Sequence, residues 1–139
     1  MVGAEPTHLQ MEIYKTGVEM QARFEELLKP GVTTHELAEK RPRPGTNMKS
    51  IDQIKQWRAT WSNHMGGMGI AWDSAPYFYE KTEDPEVVIE KNMTIAYHAL
   101  FWAEGEAGGI AIENTYQVNE NGCEALTKWP YEEIMVIGL

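Results

Sequence analysis

Two potential metal ligands lie in consecutive apolar segments of the sequence. Residues 93–102 and 109–118 are separated by a glycine-rich turn; the first segment carries His98 and the second carries Glu113. An imidazole nitrogen and a carboxylate oxygen are both donors that divalent metal ions accept in proteins. The two residues therefore suggest a metal site, and the alternative is a pair of polar side chains that simply face solvent.

The spacing of the two segments predicts which residues meet. If a turn through residues 103–108 brings Trp102 opposite Gly109, then His98 lies directly across from Glu113, with Cβ atoms about 5 Å apart. A slip by one residue would turn Glu113 toward the core, because side chains alternate between the faces of a strand. The same register aligns two apolar faces, made of Ile95, Tyr97, Ala99 and Phe101 in the first segment and Ile110, Ile112, Tyr116 and Val118 in the second.

A histidine across from a glutamate is weak support for a metal when it stands alone. Such pairs commonly form a simple hydrogen bond, and two ligands do not close a metal site. Pairs of ionisable residues that have only a structural role can also have shifted pKa values. A metal site at His98 and Glu113 therefore requires further ligands.

The composition limits the class of protein. A chain of 139 residues with 42% hydrophobic residues fits one globular domain, residues 1–139. The net charge of −9 opposes nucleic-acid binding, because the phosphate backbone would repel it. There is no apolar run of bilayer-spanning length, and residues 1–10 lack the pattern of a signal peptide. We therefore expect no nucleic-acid or membrane partner.

The single cysteine, Cys123, cannot form an internal disulfide. A reduced, cytoplasmic location is the simplest reading of this cysteine usage. Cys123 lies beside a turn with no histidine near it in the sequence, so we expect a packed or exposed thiol rather than a nucleophile.

The first part of the chain has helical periodicity. Residues 7–28 predict an amphipathic helix with Thr7 as its N-cap, ended by Pro30. Residues 33–36 have the spacing of a capping box and predict a short second helix that continues to about Lys40.

Two prolines within residues 41–45 end this second helix. Residues 50–63 predict a third helix, and the glycines of residues 66–70 predict a tight bend before a short strand. A loop that contains Pro76 and Pro85 follows.

The remainder of the chain has strand patterns. The predicted strands are residues 87–89, 93–102, 109–118 and 125–127, and residues 119–122 are the turn of a hairpin. Helices followed by antiparallel strands indicate an α+β fold.

Four stretches, in this order, resemble the pita-bread superfamily of creatinase, aminopeptidase P and methionine aminopeptidase. They are LLKPGVTTHEL (27–37), GMGIAWDSAPYF (67–78), VIEKNMTIAYHAL (88–100) and GGIAIENTYQVNENGCEALTKWP (108–130). The last is the most specific, because its glycines, acidic residue, turn and final Leu-Thr all fall in the family order. The closing LTKWPYEE is most similar to the dimethylsulfoniopropionate lyase branch, with the Xaa-Pro peptidases close to it.

The resemblance covers about residues 7–131 and implies half of a pita-bread fold, with N-terminal helices packed on a C-terminal antiparallel sheet. This half corresponds to the C-terminal part of the catalytic domain. The implied activity is that of a metal-dependent hydrolase or lyase acting on a small molecule or a peptide. A catalytically inactive binding or regulatory module is the alternative.

The family uses two aspartates, one histidine and two glutamates around two divalent ions. In this resemblance Glu113 matches one glutamate, and His98 stands where the other belongs. Gly66 falls at the histidine, for which His64 is a possible substitute, and Asp73 occupies the place of a second histidine near the reaction centre. A neutral imidazole cannot bridge two ions as a carboxylate does. The resemblance therefore implies one manganese, iron, cobalt or zinc ion at most without a partner chain.

Pocket residues are also implied. Asp73, Trp72 and Tyr97, together with Tyr77 and Trp102, could line a substrate site, although aromatic core packing explains the aromatic residues equally well.

The family's two aspartates lie on a hairpin that would precede Thr7, and the sequence has six residues before Thr7. Four outcomes follow from this: an enzyme subunit completed by a second chain that supplies the N-terminal half; a binding module with a degenerate site; a fragment without activity of its own; or a mononuclear site made by His98, Glu113 and His64 or Asp73, completed by a second copy. We expect a homo-oligomer or a second chain as the partner.

Overall fold

Helix α1 spans His8–Leu27 and begins at the predicted cap. The Thr7 hydroxyl accepts a hydrogen bond from the Gln10 amide, and the Gln10 side chain accepts one from the Thr7 amide, so the first turn has a capping box. The buried face of α1 consists of Ile13, Gly17, Met20, Gln21 and Phe24. Because these residues recur at helical spacing, one stripe of α1 packs on the sheet.

Helix α2 spans Thr34–Lys40 and is capped as predicted by Thr33 and Glu36. The backbone hydrogen bond from Thr33 is the main cause that lowers the pKa of the Glu36 carboxyl. After α2, the buried Arg41 donates to the Ala38 carbonyl oxygen over 3.0 Å, which helps to satisfy the helix end.

The computed structural model describes residues 4–49, 65–67, 74–78, 86–102 and 108–137, of which residues 65–67, 74–78 and 100–102 are described by their backbone only. The strands are β1 Met65–Gly67, β2 Ser74–Phe78, β3 Thr94–Trp102, β4 Gly109–Val118 and β5 Cys123–Ala125. They form one antiparallel sheet in the order β2-β1-β3-β4-β5. Helices followed by an antiparallel sheet confirm the predicted α+β class.

The register of β3 and β4 is the predicted one. Trp102 pairs with Gly109, and His98 pairs with Glu113. The hairpin turn at residues 119–122 is also present, with the Asn119 amide donating to the Gly122 carbonyl oxygen over 3.0 Å.

Three predictions for the strands were wrong in detail. Residues 87–89 do not join the sheet: Val88 makes an isolated bridge with Thr33, because these residues pair with the chain that leads into α2. Pro76 lies in β2, not in a loop, which is compatible with proline because β2 is at the edge of the sheet. The last strand is Cys123–Ala125, two residues earlier than expected. The predicted third helix, residues 50–63, lies outside the described residues.

The core lies between α1 and one face of β3 and β4, here called the helix face. Phe24 is fully buried and stacks on Tyr97 with ring centroids 4.0 Å apart, and it contacts Tyr116 at 5.9 Å. The buried side chains of this face are Ile95, Tyr97, Ala99, Ile112, Asn114, Tyr116 and Val118. The opposite face, here called the site face, carries His98 and Glu113.

Candidate functional site

The site face carries His98 and Glu113 side by side on adjacent strands. Their direct pairing in the antiparallel register puts both side chains on the same face. Glu113 is exposed and His98 is half-buried, whereas the residues that flank Glu113, Ile112 and Asn114, are both buried on the helix face. The strand alternation thus separates the candidate ligands from the core.

A third position of interest shares this face. Gly66 in β1 pairs with Ala96, and Ala96 is two residues before His98 in β3. Positions 66, 98 and 113 therefore belong to one face of three adjacent strands. Glycine has no donor atom in a side chain, so position 66 contributes no side-chain ligand.

Tyr97 does not lie with the other candidates. It is fully buried on the helix face, where it stacks on Phe24, and burial raises the pKa of its hydroxyl. Because neighbouring residues in a strand point to opposite faces, the Tyr97 ring lies on the face opposite His98 and belongs to the core. His64, Trp72 and Asp73 lie outside the described residues.

The ligands that the described residues bring together are too few to hold a metal ion on their own. Within residues 4–49, 86–99 and 108–137, no group of three or more His, Cys, Asp or Glu side chains is placed to hold an ion. His98 and Glu113 supply one nitrogen and one carboxylate, which is half of a tetrahedral set. This set does not fit a two-metal centre, and it fits a single ion only if further ligands join it.

Beneath the candidate pair, on the helix face, lies a buried polar network that the sequence did not reveal. The Gln21 side-chain amide donates to the carbonyl oxygens of Tyr97 at 3.1 Å and Ile112 at 2.6 Å. The Tyr116 hydroxyl donates to Gln21 Oε1 at 3.0 Å, and Asn114 Nδ2 donates to the Tyr116 hydroxyl at 3.4 Å. The only signal in the sequence was polar residues at two positions of otherwise apolar stripes.

Cys123 is half-buried beside α1, and its thiol lies 3.6 Å from the Glu25 carbonyl oxygen. Burial, with a smaller contribution from the Glu25 carboxylate, raises the pKa of the thiol to about 11. A thiol that stays protonated at neutral pH is a poor nucleophile, which agrees with the expectation for Cys123.

No helix in the described part of the chain is both long and apolar enough to cross a membrane.

The sequence was compared with known families and proteins. Residues 1–120 match metallopeptidase family M24. The chain is 25% identical over 136 residues to creatinase from Bacillus sp. (strain B-0618), covering 91% of this chain and 31% of the creatinase. It is 29% identical over 129 residues to an Xaa-Pro dipeptidase from Pyrococcus furiosus, covering 92% of this chain and 34% of the dipeptidase.

Solved structures show the same relationship. The prolidase from Pyrococcus furiosus superposes with a TM-score of 0.67 at 28% identity, covering 94% of this chain and 36% of the prolidase. The Xaa-Pro dipeptidase from Bacillus anthracis superposes with a TM-score of 0.69 at 24% identity, covering 96% and 34%, and this likeness concerns the fold alone. The chain spans about a third of the length of the curated relatives that it matches.

Proposed function

The chain belongs to metallopeptidase family M24, and we propose that it is the C-terminal part of a metal-dependent hydrolase or lyase whose metal site is incomplete without additional residues. The substrate class would be a small molecule or a peptide, since creatinase and Xaa-Pro dipeptidases are among its relatives. A family relationship alone does not establish activity, so the proposal depends on the residues of the site face.

The pairing of His98 with Glu113 is the observation that carries the proposal. It puts an imidazole and an exposed carboxylate on the same face of two paired strands. Side chains directly opposite each other in an antiparallel pair have Cβ atoms about 5 Å apart, which is short enough for both to reach one ion. The family match supports the proposal that this pair binds a metal ion and does more than form a hydrogen bond.

His64 is proposed as the third ligand. In the sequence His64 directly precedes Met65, the first residue of β1, and Met65 pairs with Tyr97, the neighbour of His98. Two imidazoles and one carboxylate are a known donor set of catalytic zinc sites, which keep a further position open.

A metal ion held at this site would supply a Lewis acid or a bound hydroxide. The role of the chain itself is to hold the ion and orient the substrate. Glu113 and His98 would each donate one atom, and Asp73 and Trp72 are proposed as substrate contacts. Tyr97 is left out of the proposed site because it packs in the core.

A partner is proposed for two reasons. The chain spans about a third of its relatives, and the donor set of the described residues is incomplete. A second chain that contains the N-terminal half of the fold, or a second copy of this chain, would supply the missing ligands. A cytoplasmic location is proposed with it, because a reduced compartment suits the single cysteine.

The test is zinc binding by the purified chain. We expect up to one Zn²⁺ per chain by elemental analysis, and a substitution Glu113→Gln that weakens Zn²⁺ binding by at least about tenfold in calorimetry, since metal sites lose about 10- to 100-fold even when supporting residues are changed. The free energy of unfolding should change by less than about 0.5 kcal/mol, because Glu113 is exposed and lies off the core.

Glu124→Gln is the matched control. Glu124 is exposed in β5 and pairs with Gln117, so it lies on the same face of the sheet one strand away. This control should bind Zn²⁺ like the unchanged chain. Equal Zn²⁺ binding by the Glu113→Gln and Glu124→Gln variants would remove Glu113 from any metal site.

A binding or regulatory module is the second candidate. It is favoured by Gly66, which has no side-chain donor at a position on the same face as His98 and Glu113. Protein that is free of metal both as purified and after incubation with Zn²⁺, yet folded, would favour this second candidate.

A further inference from the structure

The two peptide groups that lead into His98 and Glu113 are held by one side chain of α1. The carbonyl of Tyr97 is bonded to the nitrogen of His98, and the carbonyl of Ile112 is bonded to the nitrogen of Glu113. Gln21 Nε2 donates to both carbonyl oxygens, at 3.1 and 2.6 Å. Gln21 therefore connects the two strands at the residues directly before the candidate ligands.

The position of these contacts relative to the ligand pair is informative. Tyr97 pairs with Asn114 and Ala99 pairs with Ile112, so Tyr97 and Ile112 lie on either side of the His98 and Glu113 pair. From the helix face, the Gln21 side-chain amide reaches the carbonyl oxygens of both Tyr97 and Ile112, which are diagonal to each other across the two strands. It thus lies behind the pair, one sheet thickness away from the site face.

Gln21 itself is firmly fixed. Its side chain is fully buried, both of its amide hydrogens are used on the two carbonyls, and Oε1 accepts from the Tyr116 hydroxyl at 3.0 Å. Burial of a polar side chain is costly unless it is hydrogen-bonded. Leucine or methionine would fill this position without that cost, whereas Gln21 joins α1 to both strands of the candidate pair.

We propose that Gln21 is a positioning residue for the metal site: by binding the carbonyls of Tyr97 and Ile112 it fixes the spacing and orientation of His98 and Glu113. This inference rests on the proposed function of the pair. Residues that orient metal ligands typically contribute about 10- to 100-fold to metal affinity.

The first experiment compares two variants of the buried network in the complete chain. Gln21→Met keeps a similar volume but removes both donors, and we expect it to weaken Zn²⁺ binding by about tenfold. Tyr116→Phe removes a hydroxyl from the same network but leaves both Gln21 donations in place. We expect it to lose stability and to bind Zn²⁺ within about twofold of the unchanged chain, since the supporting contacts of the ligands remain.

The double variant His98→Ala, Glu113→Gln measures the Zn²⁺ that binds elsewhere on the chain, and this amount is subtracted. If Gln21→Met does not fold, Gln21→Leu replaces it, because leucine also removes both donors without burying a charge. Weaker Zn²⁺ binding by the Gln21 variant than by Tyr116→Phe supports the inference. Equal binding by the two variants overturns it, and Gln21 is then only part of the core.

A second readout separates this inference from the proposed function. In metal-free protein, nuclear Overhauser contacts between the His98 ring protons and the Glu113 side-chain protons report their spacing. If the unchanged chain binds no Zn²⁺, the proposed function fails. Loss of these contacts in Gln21→Met but not in Tyr116→Phe would still support a positioning role, and their retention in both variants would overturn it.

Discussion

If the proposed metal site exists, an imidazole at position 98 would influence which metal ion it prefers. Imidazole suits zinc, iron and nickel, whereas carboxylate oxygens suit manganese, magnesium and calcium. His98 stands beside a single carboxylate, Glu113, in the register of β3 and β4. The site would therefore favour zinc more than a site with two carboxylates at these positions would.

Replacement of His98 by glutamate tests this preference. We expect His98→Glu to weaken Zn²⁺ binding and to strengthen Mn²⁺ binding, because an oxygen donor replaces a nitrogen donor. The affinities are measured by competition with a fluorescent chelator. His98→Gln is the control. It removes the imidazole without adding a carboxylate, and it should weaken the binding of both ions. A variant His98→Glu with unchanged preference would show that residue 98 does not contact the ion.

Cys123 provides a second prediction at this scale. The shift of its pKa to about 11 from 9.0 lowers the thiolate fraction at pH 8 by about 100-fold. We expect slow reaction with a disulfide reagent in the folded protein and fast reaction in urea. The measurement is the rate at which the reagent modifies the thiol, followed by absorbance at 412 nm with and without urea. Fast reaction of the folded chain at pH 8 would contradict the burial of this thiol.

The packing of α1 on β4 depends on a glycine in the middle of the helix. A Cβ atom at Gly17 would lie 3.1 Å from the Cδ1 atoms of both Ile110 and Ile112. Contacts this short are tighter than ordinary van der Waals contact, so both isoleucine side chains would have to shift by a few tenths of an ångström. The absence of a side chain at Gly17 thus lets α1 approach the sheet on which the site is built.

We expect Gly17→Val to destabilise the protein by about 1–3 kcal/mol through overpacking. The measurement is the free energy of unfolding in urea. Lys15→Val is the control, because Lys15 is exposed on the same helix and reports only the helix propensity of valine, a few tenths of a kcal/mol up to about 0.7. The double variant Gly17→Val, Ile112→Ala should recover part of the loss. Equal free energies of unfolding for Gly17→Val and Lys15→Val would show that α1 can shift on β4 to make room for the valine side chain.

The strand register was predictable from two observations together. A slip by one residue would turn Glu113 toward the core, and a turn through residues 103–108 that brings Trp102 opposite Gly109 selects one of the remaining pairings. The buried network was not predictable. Gln21 is 76 residues from Tyr97 and 91 from Ile112 in the sequence, and no local pattern joins positions so far apart. Residues 87–89 were predicted to be a strand because they are apolar and β-branched. Their backbone hydrogen bonds are made with Val32 and Thr34 and not with the sheet.

At the scale of the whole molecule, burial keeps several weakly acidic groups protonated to a higher pH than in the unfolded chain. Burial raises the pKa of the Tyr97 hydroxyl and of the Tyr116 hydroxyl, and it raises that of the Cys123 thiol. In each case the pKa in the folded state lies above that in the unfolded chain. Their contribution to stability is therefore complete below the unfolded pKa and is lost as the pH rises toward the folded pKa.

We expect the free energy of unfolding to fall between pH 9 and pH 11. A fully buried phenol such as Tyr97 contributes a loss of about 1 kcal/mol at pH 10.5, half a unit above its unfolded pKa of about 10. Urea midpoints at pH 7, 9 and 10.5 measure this, and the variant Tyr97→Phe should show a smaller decrease. A constant midpoint over this range would contradict the burial of these groups.

The pairing of residues 87–89 with the start of α2 limits how the chain around the site can be altered. The Gly31 amide donates to the Ile89 carbonyl and the Thr34 amide to the Val87 carbonyl, each over 2.9 Å, so the chain returns at residue 87 to the place where α2 began. The intervening stretch is closed at its base by these two hydrogen bonds, and its strand β1 also pairs with β3. In the sequence His64 and Asp73 belong to this closed stretch, whereas His98 and Glu113 follow it. An insertion or deletion in the stretch would therefore have to preserve both its base and the pairing of β1 with β3.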